Sequence, residues 1–549
     1  MVAAKTPQAA RAGADVLRNG GNAVDAAVAT ALVSGVVEPW MNGIGGGGYM
    51  VRHDSRNGDT SVVSFPMVSP GGATAEMYEL SGAGTDAALF GWPAVVDSAN
   101  IVGHRAVCVP GTVAGLSLAL ETYGSLSWSS ALEPAIEYAE HGFPVTWHTT
   151  MEIARDLANI RRYPATAATL CPGGIVPWSA TDDNQAMLRQ TDLASTLRML
   201  ATAGPRAFYE GSLASDIAQH LGEGGSVISP QDLASYRAVI EAPVLVNYNG
   251  YTVATLGNGT GGVTLAQSLH LLEAASVSKF GAHPVDALHI MAQCFATAFA
   301  DRFAYLADPA HVDVPVQRLL SEEYIQSRLA DILEEGVAPV KAGSRSQLGV
   351  EHNLATSIPD YTSGGSTTHL SVIDKDGVAV SLTQTLLSLW GSRVTVPGTG
   401  IILNNGMMWF DPEPGRPNSI GGGKKPLSNM APALLIRDGQ AVAALGASGG
   451  RRIISCIAQI AMNLIDHGMS MQEAVSAPRI DRSTPRLFVS SRMPAGTIEG
   501  LRARGHDLAV KDETLFFGEF SSPACVSVNG GGFEGGVDPL YFPATATGA

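Results

Sequence analysis

The sequence predicts an α+β fold, in which a largely helical first part is followed by a strand-rich second part. Over about the first 300 residues, apolar residues recur at helical spacing, and loops rich in glycine and proline separate the segments. At Thr367 the pattern changes to the polar–apolar alternation that is typical of β-strands. No internal repeat is visible, so the two parts together indicate an α+β fold or a layered sandwich.

The helical part begins with two predicted helices. An alanine-rich helix over residues 9–18 stops at Asn19-Gly20-Gly21, and Asn22 can then cap the helix AVDAAVATALVSGVV. Helical spacing recurs in four later segments, residues 116–123, 131–140, 193–201 and 287–301. The polar, weakly patterned residues 329–366 are predicted to form a linker.

The strand-rich part opens with a predicted β-hairpin, in which TTHLSVID and VAVSLTQTL flank the turn 374–377. A three-residue loop with a left-handed Gly377 is one allowed solution. In that register Thr367 faces Thr385, whereas another loop length would shift the pairing. The later segments GIILN, APALLIRDG and AVAALGASGG read as strands, and residues 452–465 read as a helix.

Composition excludes several classes of function. The 549 residues allow two to four domains or one large layered domain. With 34 basic and 50 acidic residues the net charge is −16, which argues against broad binding to nucleic acid or to anionic membranes. No apolar stretch is long enough to cross a membrane and no signal peptide is apparent. We therefore expect a cytoplasmic protein, or a periplasmic or secreted one if a leader is removed.

Cysteine and histidine patterns indicate no metal and no cofactor. The five cysteines are scattered and contain no C-x-x-C pair, so neither a disulfide framework nor a zinc ribbon is expected. The histidines show no H-x-x-x-H or H-E-x-x-H spacing. His369 shares a strand face with Thr367, but a histidine in such a position is more often a structural hydrogen-bonding residue than a base.

A glycine-rich segment, residues 42–49, contains a G-x-G-x-x-G match at Gly43, Gly45 and Gly48. A dinucleotide-binding fingerprint requires a strand before the glycines and a helix after them. Here a helix precedes and a strand follows. The segment therefore predicts a tight loop with close backbone packing.

A second glycine-rich segment, Gly446-Ala447-Ser448-Gly449-Gly450, lies between a predicted strand and a helix. This G-x-S-x-G context fits a nucleophile elbow, with Asp466 and His506 as later triad partners. The alternative is that the glycine amides here donate to an oxyanion.

The junction Gly364-Gly365-Ser366-Thr367-Thr368 suits autocatalytic chain cleavage, because a flexible glycine pair precedes a hydroxyl residue that opens a strand. Thr367 Oγ1 would attack the carbonyl of Ser366, and hydrolysis of the resulting ester would free the Thr367 α-amine. The unperturbed pKa of such an amine is about 7.7–8.0. The amine could therefore act as the base for its own hydroxyl.

Long ordered motifs resemble the γ-glutamyltranspeptidase family of N-terminal-nucleophile hydrolases over nearly the whole chain. The matching segments are GGNAVDAAVA, GIGGGGYM, VPGTVAG, ADRFAYLADP, TTHLSVIDKDG, GIILNN, PLSNMAP and GASGGRRII. The resemblance implies a four-layer αββα sandwich and self-cleavage between Ser366 and Thr367. Residues 1–366 would then form a large subunit and residues 367–549 a small one, together in one fold.

The same resemblance assigns catalytic roles. Thr367 matches the family's nucleophile, Thr385 matches the threonine that hydrogen-bonds it, and Thr368 matches a supporting threonine. Gly449 and Gly450 match the glycines of the oxyanion hole, so Ser448 becomes a neighbour of that hole.

The sequence departs from the family where the glutamyl head group binds. Pro66 stands where an arginine would clamp the α-carboxylate, Leu387 replaces an asparagine, and Trp409 replaces an acidic residue that holds the α-amino group. Gly406 replaces a glutamine, and the family's Ser-Ser pair is Ser428-Asn429. An apolar wall cannot hold a zwitterionic head group, because unpaired buried charge is costly.

The expected function is therefore that of a self-processing N-terminal-threonine amidohydrolase or acyltransferase acting on a small amide that is not an ordinary γ-glutamyl compound. The short segment 411–425 lacks the family's longer lid, which favours hydrolysis over transfer. The resemblance extends to cephalosporin acylases and an oxamate amidohydrolase. Candidate substrate-binding residues are Ser428, Asn429, Trp409, Leu387, Thr368 and Arg451. Other cations that could hold an acyl carboxylate are Arg393, Arg416, Lys424, Lys425 and Arg452.

Three alternatives stay open at this point. The chain could be a true γ-glutamyltransferase or glutathione hydrolase, a serine hydrolase that uses Ser448, or a family member that is never processed and has no activity. A dimer of large-and-small-subunit units is also left open.

Overall fold

Two antiparallel β-sheets lie face to face and helices cover both outer faces. This arrangement comes from a computed structural model, which describes residues 1–86, 91–181, 184–281, 284–334, 336–337, 340–350, 366–515 and 519–549. The αββα sandwich and the α+β class expected from the sequence are both confirmed. In the described part of the chain, no helix is long and apolar enough to cross a membrane.

The strands are distributed over the whole chain. In chain order they are β1 Val2–Ala4, β2 Gly47–Asp54, β3 Asp59–Phe65, β4 Leu80–Thr85, β5 Pro93–Val95, β6 Phe143–Pro144, β7 Met187–Leu188, β8 Val239–Glu241, β9 Val244–Tyr248, β10 Tyr251–Thr255, β11 Ser366–Ile373, β12 Val378–Leu387, β13 Thr395–Val396, β14 Ile401–Ile402, β15 Ala433–Arg437, β16 Gln440–Leu445, β17 Ala447–Ser448, β18 Ile480–Asp481, β19 Leu487–Ser490, β20 Leu508–Lys511, β21 Ser522–Asn529, β22 Gly532–Val537 and β23 Thr545–Thr547.

The helices concentrate in the first part of the chain, as the apolar spacing predicts. They are α1 Pro7–Arg18, α2 Ala23–Val37, α3 Thr112–Tyr123, α4 Trp128–His141, α5 Trp147–Arg155, α6 Leu157–Ile160, α7 Pro164–Leu170, α8 Thr191–Ala203, α9 Ser212–Glu223, α10 Pro230–Ser235, α11 Gly261–Ala274, α12 Val285–Tyr305, α13 Val316–Leu319, α14 Glu322–Ile332, α15 Arg345–Leu348, α16 Arg452–Ile465, α17 Met471–Ser476 and α18 Ala495–Ala503.

Both large sheets mix strands from before and after residue 366. The first sheet has the order β23-β1-β11-β12-β2-β3-β8, so β1 lies between two strands of the C-terminal part. The second sheet has the order β17-β21-β16-β15-β10-β9, and β22 pairs with β21. Neither part of the chain can therefore complete a sheet without the other.

Helix α2 is the buried helix that supports the central strands of the first sheet. Its sequence is apolar all round and nearly every residue is buried, which is expected of a helix with no solvent face. Asn22 forms the predicted N-cap as part of a capping box with Asp25. The Asp374 carboxylate accepts a hydrogen bond from the Ala23 amide. The helix is thereby tied to the hairpin turn at its start and contacts β11 and β12.

The predicted hairpin forms with the expected register. Gly377 has a φ of 81°, in the left-handed region, and Thr368 pairs with Gln384. The pairing shifts by one residue between Ser366 and Thr368, which is a β-bulge at the predicted cleavage site.

The predicted linker at 329–366 is partly wrong. Residues 329–332 belong to α14, because Leu329 and Ile332 continue the apolar face of a helix that Ser321 caps. A further short helix, α15, lies within the segment. Residues 351–365, which include the predicted glycine hinge, lie outside the described residues.

Candidate active site

Thr367, the predicted nucleophile, lies in the bulge at the start of β11 and is buried. Its Oγ1 is 2.6 Å from the carbonyl oxygen of Ser366 and 3.3 Å from Thr385 Oγ1. A single hydroxyl proton can be donated to either oxygen. The hydroxyl thus lies beside the peptide bond that precedes it, at hydrogen-bond distance from the threonine that the sequence paired with it.

Thr385 holds the Ser366 carbonyl from the neighbouring strand. Its Oγ1 donates to that carbonyl oxygen at 2.6 Å and accepts the Leu387 amide at 2.8 Å. Leu387 has a φ of 96°, where bulky residues are strained. The hairpin therefore brings Ser366, Thr367 and Thr385 together, although they are separated by the whole turn in sequence.

The glycine-rich loop before β2 packs against β12 behind these residues. A Cβ at Gly46 would lie 2.3 Å from the Thr385 carbonyl oxygen, and one at Gly48 would lie 2.5 Å from that of Thr383. Only glycine allows this approach. The expected tight loop is confirmed and supports the strand that carries Thr385.

The predicted oxyanion glycines, Gly449 and Gly450, connect β17 to α16. Their φ values are 137° and 66°, and a Cβ at Gly449 would lie 2.8 Å from Ser521 Cα. Both positions therefore require glycine. Consecutive amides that lead into a helix N-terminus can bind an anion, and β17 packs against β11.

The structure does not favour the elbow interpretation of Ser448. Ser448 Oγ is 3.4 Å from the Ser522 carbonyl oxygen. Asp466 accepts hydrogen bonds from Tyr248 and Asn249, and His506 Nε2 lies 2.8 Å from His289 Nδ1. The three side chains have other partners because α16 carries Asp466 away from the end of β17, so they form no Ser–His–Asp relay.

Arg302 organises the predicted substrate-binding pair Ser428 and Asn429. This fully buried guanidinium donates to the Ser428 carbonyl oxygen at 2.6 Å and to Asn429 Oδ1 at 2.9 Å. Burial, followed by the nearby charge of Arg451, lowers the pKa of Arg302 to about 9. The Arg302 guanidinium therefore holds the loop that carries Ser428 and Asn429.

The two apolar replacements, Leu387 and Trp409, belong to one buried hydrophobic cluster that also contains Trp92 and Phe303. Trp92 Nε1 donates to the Trp409 carbonyl oxygen at 3.3 Å, and the rings of Trp92 and Phe303 meet edge to face. Pro66 directly follows β3, and Tyr236 donates to its carbonyl oxygen at 2.7 Å.

Most of the candidate cations are already engaged. Ion pairs with carboxylates hold Arg393, Arg416, Lys425 and Arg452, while Lys424 Nζ donates to two backbone carbonyl oxygens. Arg451 is fully buried, donates to the Ser483 carbonyl oxygen and lies 4.6 Å from the centre of the Phe303 ring. Among these candidate cations, Arg451 contacts Phe303 of the buried hydrophobic cluster.

His369 is unsuited to act as a base. Its ring bonds Thr383 Oγ1 and Ser371 Oγ between the two sheets, and burial lowers its pKa to about 3. Within the described residues, no group of three His, Cys, Asp or Glu side chains could hold a metal ion.

Sequence analysis missed three ionisable residues beside β11, namely Lys5, Glu38 and Tyr541. Glu38 is fully buried, and its carboxylate accepts hydrogen bonds from Thr368 Oγ1 at 2.5 Å and Tyr541 Oη at 2.7 Å. One signal was available, since an acidic residue directly after an apolar helix opposes the helix dipole. The distant partners could not be read from the sequence.

Comparison with known proteins agrees with this geometry. The family model for gamma-glutamyltranspeptidase matches residues 9–541. The acylase ACY 1 proenzyme of Pseudomonas sp. strain V22 is 38% identical over 510 residues, covering 92% of this chain and 86% of the relative. The glutathione hydrolase proenzyme of Escherichia coli K12 is 35% identical over 530 residues, covering 93% and 86%. The crystal structure of cephalosporin acylase from Bacillus halodurans superimposes with a TM-score of 0.84 at 28% identity, covering 98% and 94%.

The stacked sheets with helices on both outer faces, together with the structural neighbour, show the fold of an N-terminal-nucleophile hydrolase. Within that class, the matched model and the relatives over nearly the whole length decide the family. The chain belongs to the gamma-glutamyltranspeptidase family, as the sequence motifs indicated.

Proposed function

We propose that the chain is a self-processing amidohydrolase in which Thr367 becomes the N-terminal nucleophile. The observation that carries the proposal is the contact of Thr367 Oγ1 and Thr385 Oγ1 with the Ser366 carbonyl oxygen, at 2.6 Å each. The relatives named as proenzymes support a cleaved precursor. Cleavage would give subunits of residues 1–366 and 367–549.

Self-cleavage begins when Thr367 Oγ1 attacks the carbonyl carbon of Ser366. The hydroxyl of Thr385 donates to the developing oxyanion, the C–N bond breaks, and the nitrogen takes up the hydroxyl proton. An ester then links Ser366 to Thr367 Oγ1. Water hydrolyses the ester, which leaves a carboxylate on Ser366 and a free α-amine and hydroxyl on Thr367.

Turnover uses the same hydroxyl. The Thr367 α-amine, with an ordinary pKa of about 7.7–8.0, accepts the hydroxyl proton as Oγ1 attacks the substrate amide. The amides of Gly449 and Gly450 stabilise the oxyanion, a contribution of several kcal/mol in comparable sites. The amine product leaves, and water hydrolyses the acyl-threonine ester.

The substrate pocket favours an acyl group without an amino acid head group. Leu387 and Trp409 are only 1% and 3% exposed and share a cluster with Phe303. An ammonium group placed against this wall would lose its hydration without gaining a partner. We propose that Ser428, Asn429 and Arg451 supply the polar groups that bind an acyl carboxylate, and a dicarboxylic acyl chain would present such a group.

Hydrolysis is expected to dominate over transfer because segment 411–425, which matches the family's lid by resemblance, is short. In residues 411–425, Lys424 Nζ donates to the carbonyl oxygens of Pro417 and Ser419, which folds the segment on itself. The Lys424 amide also donates to Ser69 Oγ, which ties the segment to the residues that follow β3. Water then reaches the acyl-threonine more readily than a bulky amine acceptor does.

Intact-mass measurement and two variants test the proposal. The wild-type chain should convert to two fragments with a cut before Thr367, and Thr367→Ala should block both cleavage and activity. The control Ser448→Ala should mature and retain turnover. A single chain after long incubation, or an active Thr367→Ala protein, would overturn the proposal.

A panel of glutaryl, adipyl, oxamic and γ-glutamyl amides tests the acyl preference. We expect glutaryl or adipyl amides to be hydrolysed faster than glutathione. Glutathione as the best substrate would instead establish a glutathione hydrolase and contradict the pocket argument.

A further inference from the structure

The segment that leaves α2 surrounds the start of β11. Ser366 Oγ donates to the Trp40 carbonyl oxygen at 2.9 Å, and the Leu386 amide donates to the Met41 carbonyl oxygen at 2.9 Å. Glu38 caps the helix immediately before these residues. The segment therefore contacts both strands that carry the active threonines.

Glu38 occupies a costly position. It is fully buried at the negative end of the α2 dipole, and burial raises the pKa of its carboxyl to about 7. The hydroxyls of Thr368 and Tyr541 each donate to one of its oxygens, at 2.5 and 2.7 Å. A carboxylate in such a place persists only because these bonds compensate for its desolvation.

Other ionisable groups face this carboxylate from neighbouring elements. Lys5, after β1, lies with its Nζ 3.8 Å from the centre of the Tyr541 ring and lowers the pKa of Glu38. Glu152 of α5 raises that pKa, and His148 of the same helix lies edge to face with Tyr541. Burial lowers the pKa of His148 to about 4, so this ring is neutral near pH 7.

Cleavage would change what restrains Thr367. Before cleavage, the side chain of Ser366 and its pairing with Leu387 hold the start of β11. After cleavage these contacts belong to the other subunit's C-terminus. A strand end without such contacts frays. Thr368 Oγ1 is then the side-chain anchor next to the new terminus, and its partner Glu38 lies in the first subunit.

We propose that Glu38 is a positioning residue that holds the processed N-terminus through the hydroxyl of Thr368, with Tyr541 fixing the carboxylate from the other side. This inference rests on the proposed function. It makes the geometry of the Thr367 amine and hydroxyl depend on a contact between the two subunits.

The inference predicts an acid limb in the pH profile of kcat. Ionised Glu38 accepts both hydroxyl hydrogen bonds, whereas the protonated carboxyl must donate one proton and loses one of these bonds. Activity should therefore fall as the pH decreases through about 7, the raised pKa of Glu38. The α-amine of Thr367 titrates in a similar pH range, so the pH profile of Glu38→Gln is compared with that of the wild type. This variant keeps the loss of activity that comes from protonation of the amine and removes the loss that comes from protonation of the Glu38 carboxylate.

A matched pair at Thr368 tests the hydroxyl itself. Thr368→Val keeps the shape and removes the donor, while Thr368→Ser keeps the donor. On fully matured protein of confirmed mass, we expect Thr368→Val to lower kcat about 10- to 100-fold with KM nearly unchanged, and Thr368→Ser to stay within about 3-fold, because loss of orientation acts on the chemical step. The substrate is the amide of the panel with the highest turnover.

A double variant and a tyrosine variant complete the test. Glu38→Gln with Thr368→Val should be no slower than Thr368→Val alone, because both remove one interaction. Tyr541→Phe should mature normally and move the acid limb to higher pH, since the tyrosine hydrogen bond lowers the pKa of Glu38. If Thr368→Val does not mature, the Tyr541→Phe profile decides.

Equal kcat for the valine and serine variants, additive losses in the double variant, or an acid limb that Glu38→Gln and Tyr541→Phe leave unmoved would overturn the inference. These outcomes differ from failure of the proposed function, which would appear as activity in Thr367→Ala.

Discussion

At the residue scale, the chain keeps the family's threonines and differs from the family where the motifs place the head-group residues. The hydroxyls of Thr367 and Thr385 meet at the Ser366 carbonyl oxygen, whereas Trp409 and Leu387 are buried apolar residues of the hydrophobic core. Sequence comparison with the family motif identified all four residues. It did not identify Glu38, whose partner Thr368 lies 330 residues away.

Changing Trp409 should redirect the substrate preference. Trp409→Asp restores an acidic side chain where the motif resemblance implies one, so we expect γ-glutamyl hydrolysis to rise about tenfold, the change that about 1.4 kcal/mol of binding produces. Hydrolysis of glutaryl amides should fall, because the added charge repels the acyl carboxylate. The measurement is kcat/KM on both amides with matured protein.

Trp409→Asn is the matched control for this change. It removes the same ring volume without adding charge, so it should lower activity on both amides and not gain γ-glutamyl hydrolysis. An equal gain in the Asp and Asn variants would show that space and not charge excludes the glutamyl head group.

At the scale of elements, the β11–β12 hairpin positions the site. Its turn chemistry and alternation were visible in the sequence, and the structure confirms the register from Thr368 to the turn. The bulge at Ser366 was not predicted, because it depends on how Trp40 and Thr385 hold that residue. The linker boundary was misplaced for a similar reason, since the packing of α14 on the core extends the helix beyond its weak local pattern.

The turn glycine should be essential for this hairpin. Gly377 has a φ of 81°, and an added Cβ would lie 3.0 Å from Ser55 Cβ. We expect Gly377→Val to destabilise the protein by about 1–3 kcal/mol through backbone strain and to slow maturation. Thermal unfolding and the rate of fragment formation measure the two effects.

Gly222 provides the control, because it is an exposed glycine near the end of α9 with no atom within 4 Å of an added Cβ. Gly222→Ala should be neutral or stabilise by up to about 1 kcal/mol. If Gly377→Val unfolds at the wild-type temperature, the turn does not require a left-handed residue.

At the scale of the whole molecule, the two parts of the chain share both large sheets, from which we infer one folding unit. Strand β1 lies between β11 and β23, and β9 and β10 complete a sheet of C-terminal strands. Cleavage after Ser366 would cut the chain at the first residue of β11 and leave the strand pairings from Thr368 onward in place. The length of the chain alone allowed up to four domains. Because both large sheets are shared, residues 1–366 and 367–549 are not two separate domains.

Separate expression tests this interdependence. Fragments 1–366 and 367–549 expressed alone should show no cooperative thermal transition, because each leaves open sheet edges and an uncovered apolar face. The uncleaved Thr367→Ala chain is the control and should unfold cooperatively. A cooperative transition in either isolated fragment would contradict a single folding unit.

The sequence by itself determined the α+β class, the helices α1, α2 and α16, the hairpin turn and the candidate threonines, because periodicity, caps and turn residues act over a few neighbours. Only the tertiary structure decided that Ser448 has no relay, that Arg302 holds Ser428 and Asn429, and that Glu38 meets Thr368 and Tyr541. Those contacts join distant parts of the chain through the stacking of two sheets, and no local pattern encodes which buried side chains the stacking brings within hydrogen-bond distance.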